Sequence, residues 1–247
     1  RNFSHYTYYS YMHKGKEIIE YFNKPIEEVT TEELRNFLFE HLINKRKLSD
    51  RSVNYYNSII RFMYEVTMDK LINKKQLPMR KKKKTVYKVL TKEELSTFFN
   101  CVDNYKFKTI FMIAYGSGLR IGEITNLHIS DIDSKKMRIF VREGKGNKER
   151  YTMLSKTSLE MLRTYWKKYR KPVKSDKIFL TELDEPMTVG VIRENFRKYR
   201  RKAGLNEKVT MHTLRHCYAT NLIENGATLI QVKELMGHSN IRSTMEY

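Results

Sequence analysis

The sequence predicts a mainly α-helical chain with a small β-sheet, split into an N-terminal helical unit and a larger C-terminal α+β unit. Apolar residues recur at helical spacing along most of the chain. Short β-rich runs are confined to residues 129–154 and 178–180. Between the two sets of elements lies a basic stretch opened by a proline, Pro78 to Lys84. The expected boundaries are a helical unit over 1–78, a basic linker over 79–88 and a C-terminal unit over 89–247. At 247 residues and 40% hydrophobic, the chain has enough material for packed cores. Its apolar runs are too short to span a bilayer, and no signal-peptide pattern opens it.

In order along the chain, Phe3, Tyr6, Tyr9, Tyr21 and Phe22 fall at helical spacing, and Asn23-Lys24-Pro25 closes that segment. Thr30-Thr31-Glu32-Glu33 is a capping box ahead of Leu34, Phe37, Leu38 and Leu42. Ser49-Asp50 caps a third run, with Val53, Tyr56, Ile59, Ile60 and Met63 on one face. The tyrosines here are expected in the core rather than as platforms for stacked bases. The run Arg80, Lys81, Lys82, Lys83, Lys84 has two readings, a solvated tether or a strap across phosphates.

Thr91-Lys92-Glu93-Glu94 is a second capping box and opens the C-terminal unit. Ile110 to Tyr115 reads as a buried helix, ended by Gly116-Ser117-Gly118. Arg120 follows among apolar neighbours, where an unpaired charge is costly, and Glu123 is its nearest partner. Ile129–Ile132, Met137–Val141 and Tyr151–Leu154 read as strands, with a glycine-lysine hairpin, Gly144-Lys145-Gly146-Asn147-Lys148, between the last two. Helices are expected over Thr157–Tyr169 and Val189–Arg201, with a short strand at Ile178-Phe179-Leu180. Arg193, Arg197, Arg200 and Arg201 make the second of these helices basic, which suits groove or phosphate contact, by the first three above all, as well as plain solvation.

Charge narrows the class of partner. Lys plus Arg total 48 against 28 acidic residues, a formal net charge of +20. That excess argues for a polyanion, because each phosphate neutralised releases condensed counterions. Cys101 and Cys217 match no metal spacing and suit a reducing compartment, and no carboxylate cluster suits magnesium. Neither a metal nor another cofactor is expected.

The final stretch holds His212-Thr213-Leu214-Arg215-His216, then Gly237-His238, then Tyr247. His212 and Arg215 are three apart, so a helix places them on one face. Taken with Arg120 and Lys145 upstream, this order resembles the tyrosine recombinase, or phage-integrase, family of DNA strand-exchange enzymes. The resemblance covers residues 91–247, and the N-terminal part looks like that family's core-binding, SAM-like domain. It implies a catalytic domain that clamps double-stranded DNA with its core-binding partner. By resemblance, Arg120 and Arg215 bind the scissile phosphate, and His212 accepts a proton or supports the acceptor. His238 donates to the phosphate, Lys145 protonates the leaving oxygen, and Tyr247 attacks. Lys148 is left to the backbone or to solvent. The family reading implies cleavage and rejoining through a 3′-phosphotyrosine without metal or ATP. It further implies a homotetramer on paired sites, a dimer at each, in the cytoplasm at the nucleoid, of bacterial or mobile-element origin. A type IB topoisomerase and a non-catalytic DNA-binding protein of the same fold are the rival readings. The natural protein is expected to continue beyond Tyr247 and to begin before Arg1.

Overall fold

A computed structural model of the chain describes residues 5–73, 75–81, 89–142 and 149–245. It resolves two compact units, Arg1–Thr85 and Val86–Tyr247. Lys82, Lys83, Lys84, Lys145, Lys148 and Tyr247, all expected site residues, lie outside the described residues, as do Phe3 and the Gly-Lys hairpin tip.

The first unit is a helical bundle. Helix α1 (His5–Phe22) ends at Asn23, whose φ of 49° takes the chain out of the helix. In the Thr30 capping box the Thr30 amide donates to Glu33 at 2.8 Å, while the Glu33 amide donates to Thr30 Oγ1 at 3.3 Å. That box opens α2 (Thr31–Asn36), which runs on as a widened helix over Phe37–Lys45. Ser49 caps α3 (Asp50–Phe62), which buries Val53, Tyr56, Ile59 and Ile60 against Leu34, Phe37, Leu38 and Leu42. The Tyr56 hydroxyl donates to Glu17 at 2.8 Å, and Tyr64 to the carbonyls of Ile26 and Val29. These two tyrosines belong to the core, as expected. Tyr9 and Tyr21 do not, being 67% and 45% exposed. Among its described side chains, helix α1 buries only its Ile18 side completely, so aromatic spacing alone misassigned the outer face.

In the second unit, α4 (Lys92–Cys101) starts at the Thr91–Glu94 capping box. The middle of the unit is α5 (Tyr105–Ser117), where Ile110, Phe111, Ile113 and Ala114 are fully buried. The short α6 (Ile121–Thr125) follows, and then an antiparallel sheet in the order β1 (Ile132–Asp133), β2 (Arg138–Val141), β3 (Arg150–Met153). Phe140 pairs with Tyr151 and Val141 with Arg150. The expected strand at Ile129 starts only at Ile132. The Asp131 carboxylate accepts the His128 amide at 2.9 Å and winds residues Ile129–Asp131 into a 3-10 turn. Helix α7 (Lys156–Thr164) continues in a widened turn to Tyr169. Ile178-Phe179-Leu180 is not a strand either. It is buried on all sides and makes only a single bridge, Leu180 to Pro186. Helices α8 (Val189–Lys202), α9 (Met211–Glu224) and α10 (Leu229–Met236) complete the unit. Residues 213–219 of α9 are buried all round its circumference as it packs on α5 and α10. Among the described residues, no helix is long and apolar enough to cross a membrane.

Candidate active site

The site begins where α5 stops. Gly118 adopts a left-handed conformation (φ 63°), and a β-carbon there would fall 2.2 Å from the Tyr218 ring. Glycine is therefore required twice, by backbone geometry and by space. The turn delivers Arg120 to the start of α6, where its amide donates to the Glu123 carboxylate at 2.7 Å. The Arg120 guanidinium donates to Glu123 Oε1 at 2.8 Å and to the carbonyl of Gly237 at 3.0 Å.

Helix α9 supplies the next groups. Arg215 is only 1% exposed and donates to the carbonyls of Gly118 and Met236, so it ties the Arg120 turn to the end of α10. His212 stands one turn earlier with an exposed face, and the His216 ring meets it edge-on at 4.8 Å. Burial, then the charges of Arg215 and Arg120, push His212 below the usual histidine range. His216 is held at about 4 by burial, and then by His212, Arg215 and His238.

The end of α10 supplies His238. Gly237 closes that helix in a left-handed conformation (φ 61°), and the His238 amide returns to the carbonyl of Lys233 at 3.0 Å. The ring Nδ1 lies 3.0 Å from the hydroxyl of Thr244, which is itself fully buried. Burial first, and then Arg215 and Arg120, hold His238 at about 4. It is therefore neutral at pH 7. In the tautomer whose Nδ1 accepts from Thr244, the ring proton sits on Nε2 and that nitrogen is the donor.

Arg150 completes the arrangement. Its guanidinium forks onto Glu123, Nη1 to Oε1 at 2.9 Å and Nη2 to Oε2 at 2.8 Å, while Nε donates to the carbonyl of Leu235 at 3.0 Å. Successive carbonyls at the end of α10 thus each receive one guanidinium: Leu235 from Arg150, Met236 from Arg215, Gly237 from Arg120. These are carbonyls that a helix leaves without intrahelical partners, at the negative end of its dipole. Glu123 is the anion common to the three arginines, with Arg215 at 3.8 Å. Burial alone would raise the Glu123 carboxyl, but Arg150, followed by Arg120, overcomes it and holds the group at about 2. One carboxylate against three guanidiniums leaves a net positive, largely buried locality suited to an anion.

Beside it runs a cleft of about 380 Å³ lined by Arg120, His212, Thr210, Arg193, Arg197 and Arg200. Arg193 and Arg197 are exposed along α8. Arg200 is turned aside, donating to the carbonyls of Glu207 and Val209, so it secures the chain between α8 and α9. In the first unit, Arg80 pairs with Asp50, and its amide donates to Asn54 at 2.8 Å, while Lys81 is exposed. The start of the basic run is thereby fastened to α3.

Of the residues singled out in the sequence, the fold brings Arg120, His212, Arg215 and His238 together, with Arg193 and Arg197 alongside. Sequence reasoning assigned no role to Arg150, His216 or Thr244. Arg150 was hidden in a run of charges, and its partner Glu123 is 27 positions away.

The Phage integrase family matches residues 88–247, and the Phage integrase N-terminal SAM-like domain matches residues 1–74. The chain is similar to a putative integrase/recombinase, y4qK, of Sinorhizobium fredii, at 33% identity over all of this chain (100%) and 80% of that protein. Tyrosine recombinase XerA of Pyrococcus horikoshii is 32% identical over 98% of this chain and 86% of its own. Among solved structures, the Tn1549 transposon integrase in complex with circular intermediate DNA shares the fold, with a TM-score of 0.79 at 20% identity, covering 100% of this chain and 90% of that one.

Proposed function

Since the chain belongs to the phage integrase family and is a tyrosine recombinase, an enzyme that cleaves and rejoins DNA, we propose that Tyr247 is its nucleophile at specific sites on duplex DNA. The observation that carries this reading is the gathering of Arg120, His212, Arg215 and His238, from three separate stretches of sequence, around one cation-rich locality.

In the proposed step the Tyr247 hydroxyl oxygen bonds to phosphorus and the bond to the 5′-oxygen breaks. A phenol with a pKa of about 10 is only about one part in a thousand ionised at pH 7. His212, kept neutral by burial and by Arg215 and Arg120, is the acceptor for its proton. Charge gathers on the non-bridging oxygens, where Arg120 and Arg215 stabilise it and His238 donates from Nε2. Lys145 gives a proton to the departing 5′-oxygen. The DNA is left as a 3′-phosphotyrosine, and a second 5′-hydroxyl reverses the sequence without outside energy.

Arg193 and Arg197 take phosphates flanking the scissile one, since their cleft opens beside Arg120 and His212. The basic run from Lys81 to Lys84 adds to the phosphate contacts, since each lysine that neutralises a phosphate releases counterions. Recombination uses paired sites with a dimer on each, four subunits in all, acting on DNA in the cytoplasm at the nucleoid. The test is Tyr247→Phe, which removes only the attacking oxygen. DNA binding should persist while the covalent protein–DNA adduct on denaturing gels disappears. An adduct that survives means a different nucleophile.

A further inference from the structure

We propose that Arg150 is a positioning residue for strand cleavage, holding Arg120 and His238 in register through its fork on Glu123 and its bond to the Leu235 carbonyl. This rests on the function proposed above.

The argument is geometric. The Arg150 side chain is 9% exposed, against 23% for Arg120, and its observed bonds run inward to Glu123 and Leu235. Arg120 shares Glu123 Oε1 with Arg150, so movement of that carboxylate moves Arg120. On its other side Arg150 lies flush against Gly237. A β-carbon there would come within 2.8 to 2.9 Å of its Cδ, Nε and Nη1. Gly237 is the residue that turns the chain into His238, so one side chain braces both the Arg120 turn and the His238 turn. Arg150 also opens β3, the strand that follows the stretch carrying Lys145 in the sequence. A lysine at 150 would keep the charge but lose the fork and the Nε bond. Positioning therefore predicts that Lys fails where a mere positive charge would suffice.

Arg150→Ala and Arg150→Lys in the full chain separate these roles, with a nicked duplex pool of randomised sequence as the DNA. Both variants should bind the pool within about twofold of the unaltered protein yet form adduct about tenfold to a hundredfold more slowly. In the DNA-free protein, His238 imidazole NMR signals should move in both variants while those of His41, in the other unit, stay in place. Affinity falling in step with rate would make Arg150 a DNA ligand and overturn the proposal. So would a Lys variant that cleaves normally, unmoved His238 signals, or a chain that unfolds with either substitution. If the unaltered protein itself forms no adduct, that failure belongs to the proposed nucleophile, and the His238 signals still decide the role of Arg150.

Discussion

Arg150 and Glu123 meet as a two-pronged ion pair, with bonds of 2.9 and 2.8 Å, at a point where both side chains are nearly sealed from solvent. The carboxylate is what makes so dense a cluster of guanidiniums tolerable. Without it Arg120, Arg150 and Arg215 would face one another across a low-dielectric interior with only carbonyl dipoles between them.

Glu123→Gln is therefore expected to be costly despite its near-identical shape. Breaking a buried, hydrogen-bonded ion pair removes about 3 kcal/mol, read as a lower urea midpoint at pH 7. The carboxyl is lowered to about 2 from 4.5, so its contribution is complete above pH 4.5 and fades as pH falls toward 2. The gap between the unaltered protein and the variant should thus be narrower at pH 3 than at pH 7. A gap independent of pH would mean that the loss comes from packing, not charge.

Gly118→Ala tests the turn that aims Arg120. The left-handed backbone alone costs a side chain roughly 1 kcal/mol, and the collision with the Tyr218 ring at 2.2 Å adds to it. Stability should fall by more than the backbone cost, and adduct formation with it. In a double-mutant cycle with Tyr218→Ala, which carries its own cavity cost, the coupling between the two changes should equal the steric part. If the single change proves neutral, the turn is more pliable than its geometry indicates.

Much of the fold was legible because its signals are local. Thr30 with Glu33, Thr91 with Glu94, and Ser49 announce helix starts within four residues, and each cap forms. His212 and Arg215 were legible as neighbours on one helix, though not that Arg215 would be almost fully covered. The residues that went unread depend on contacts that no period encodes. Arg150 looks like one more charge after Lys148 and Glu149, and only the β2–β3 register and the end of α10 reveal its task. Arg200 shares a helical face pattern with Arg193 and Arg197, yet the chain folding back at Glu207 and Val209 captures it. Tyr9 and Tyr21 have core-like spacing, but among its described side chains α1 buries only Ile18 completely.

Acid should loosen the catalytic unit earlier than carboxylate chemistry would. Burial and nearby cations hold His216 and His238 at about 4, against 6.5 in an open chain. Between those values the unfolded chain takes up protons that the folded one refuses, so stability is flat above pH 6.5 and falls as pH drops toward 4. Urea midpoints at pH 7.5, 6 and 5 should decline in sequence, and the decline should shrink in His216→Gln. Midpoints that stay level over this range would mean that the two rings accept protons when folded.

Three of the arginines of α8 offer the last separation, between holding DNA and holding the fold. Arg193 and Arg197 open onto the cleft beside Arg120, whereas Arg200 is spent on the carbonyls of Glu207 and Val209. Each phosphate contact contributes close to one unit to the slope of log affinity against log salt. Replacing Arg193 and Arg197 together by alanine should therefore flatten that slope by about two on any duplex, with the urea midpoint unchanged. Arg200→Ala should do the reverse, lowering the urea midpoint through a stability loss of about 1 kcal/mol from the two lost carbonyl bonds while leaving the slope nearly intact. Affinity titrations of a random-sequence duplex from low to moderate salt, run beside urea unfolding, read both quantities. A slope that flattens as much for Arg200→Ala as for either exposed arginine would return Arg200 to the DNA and remove its assignment to the turn after α8.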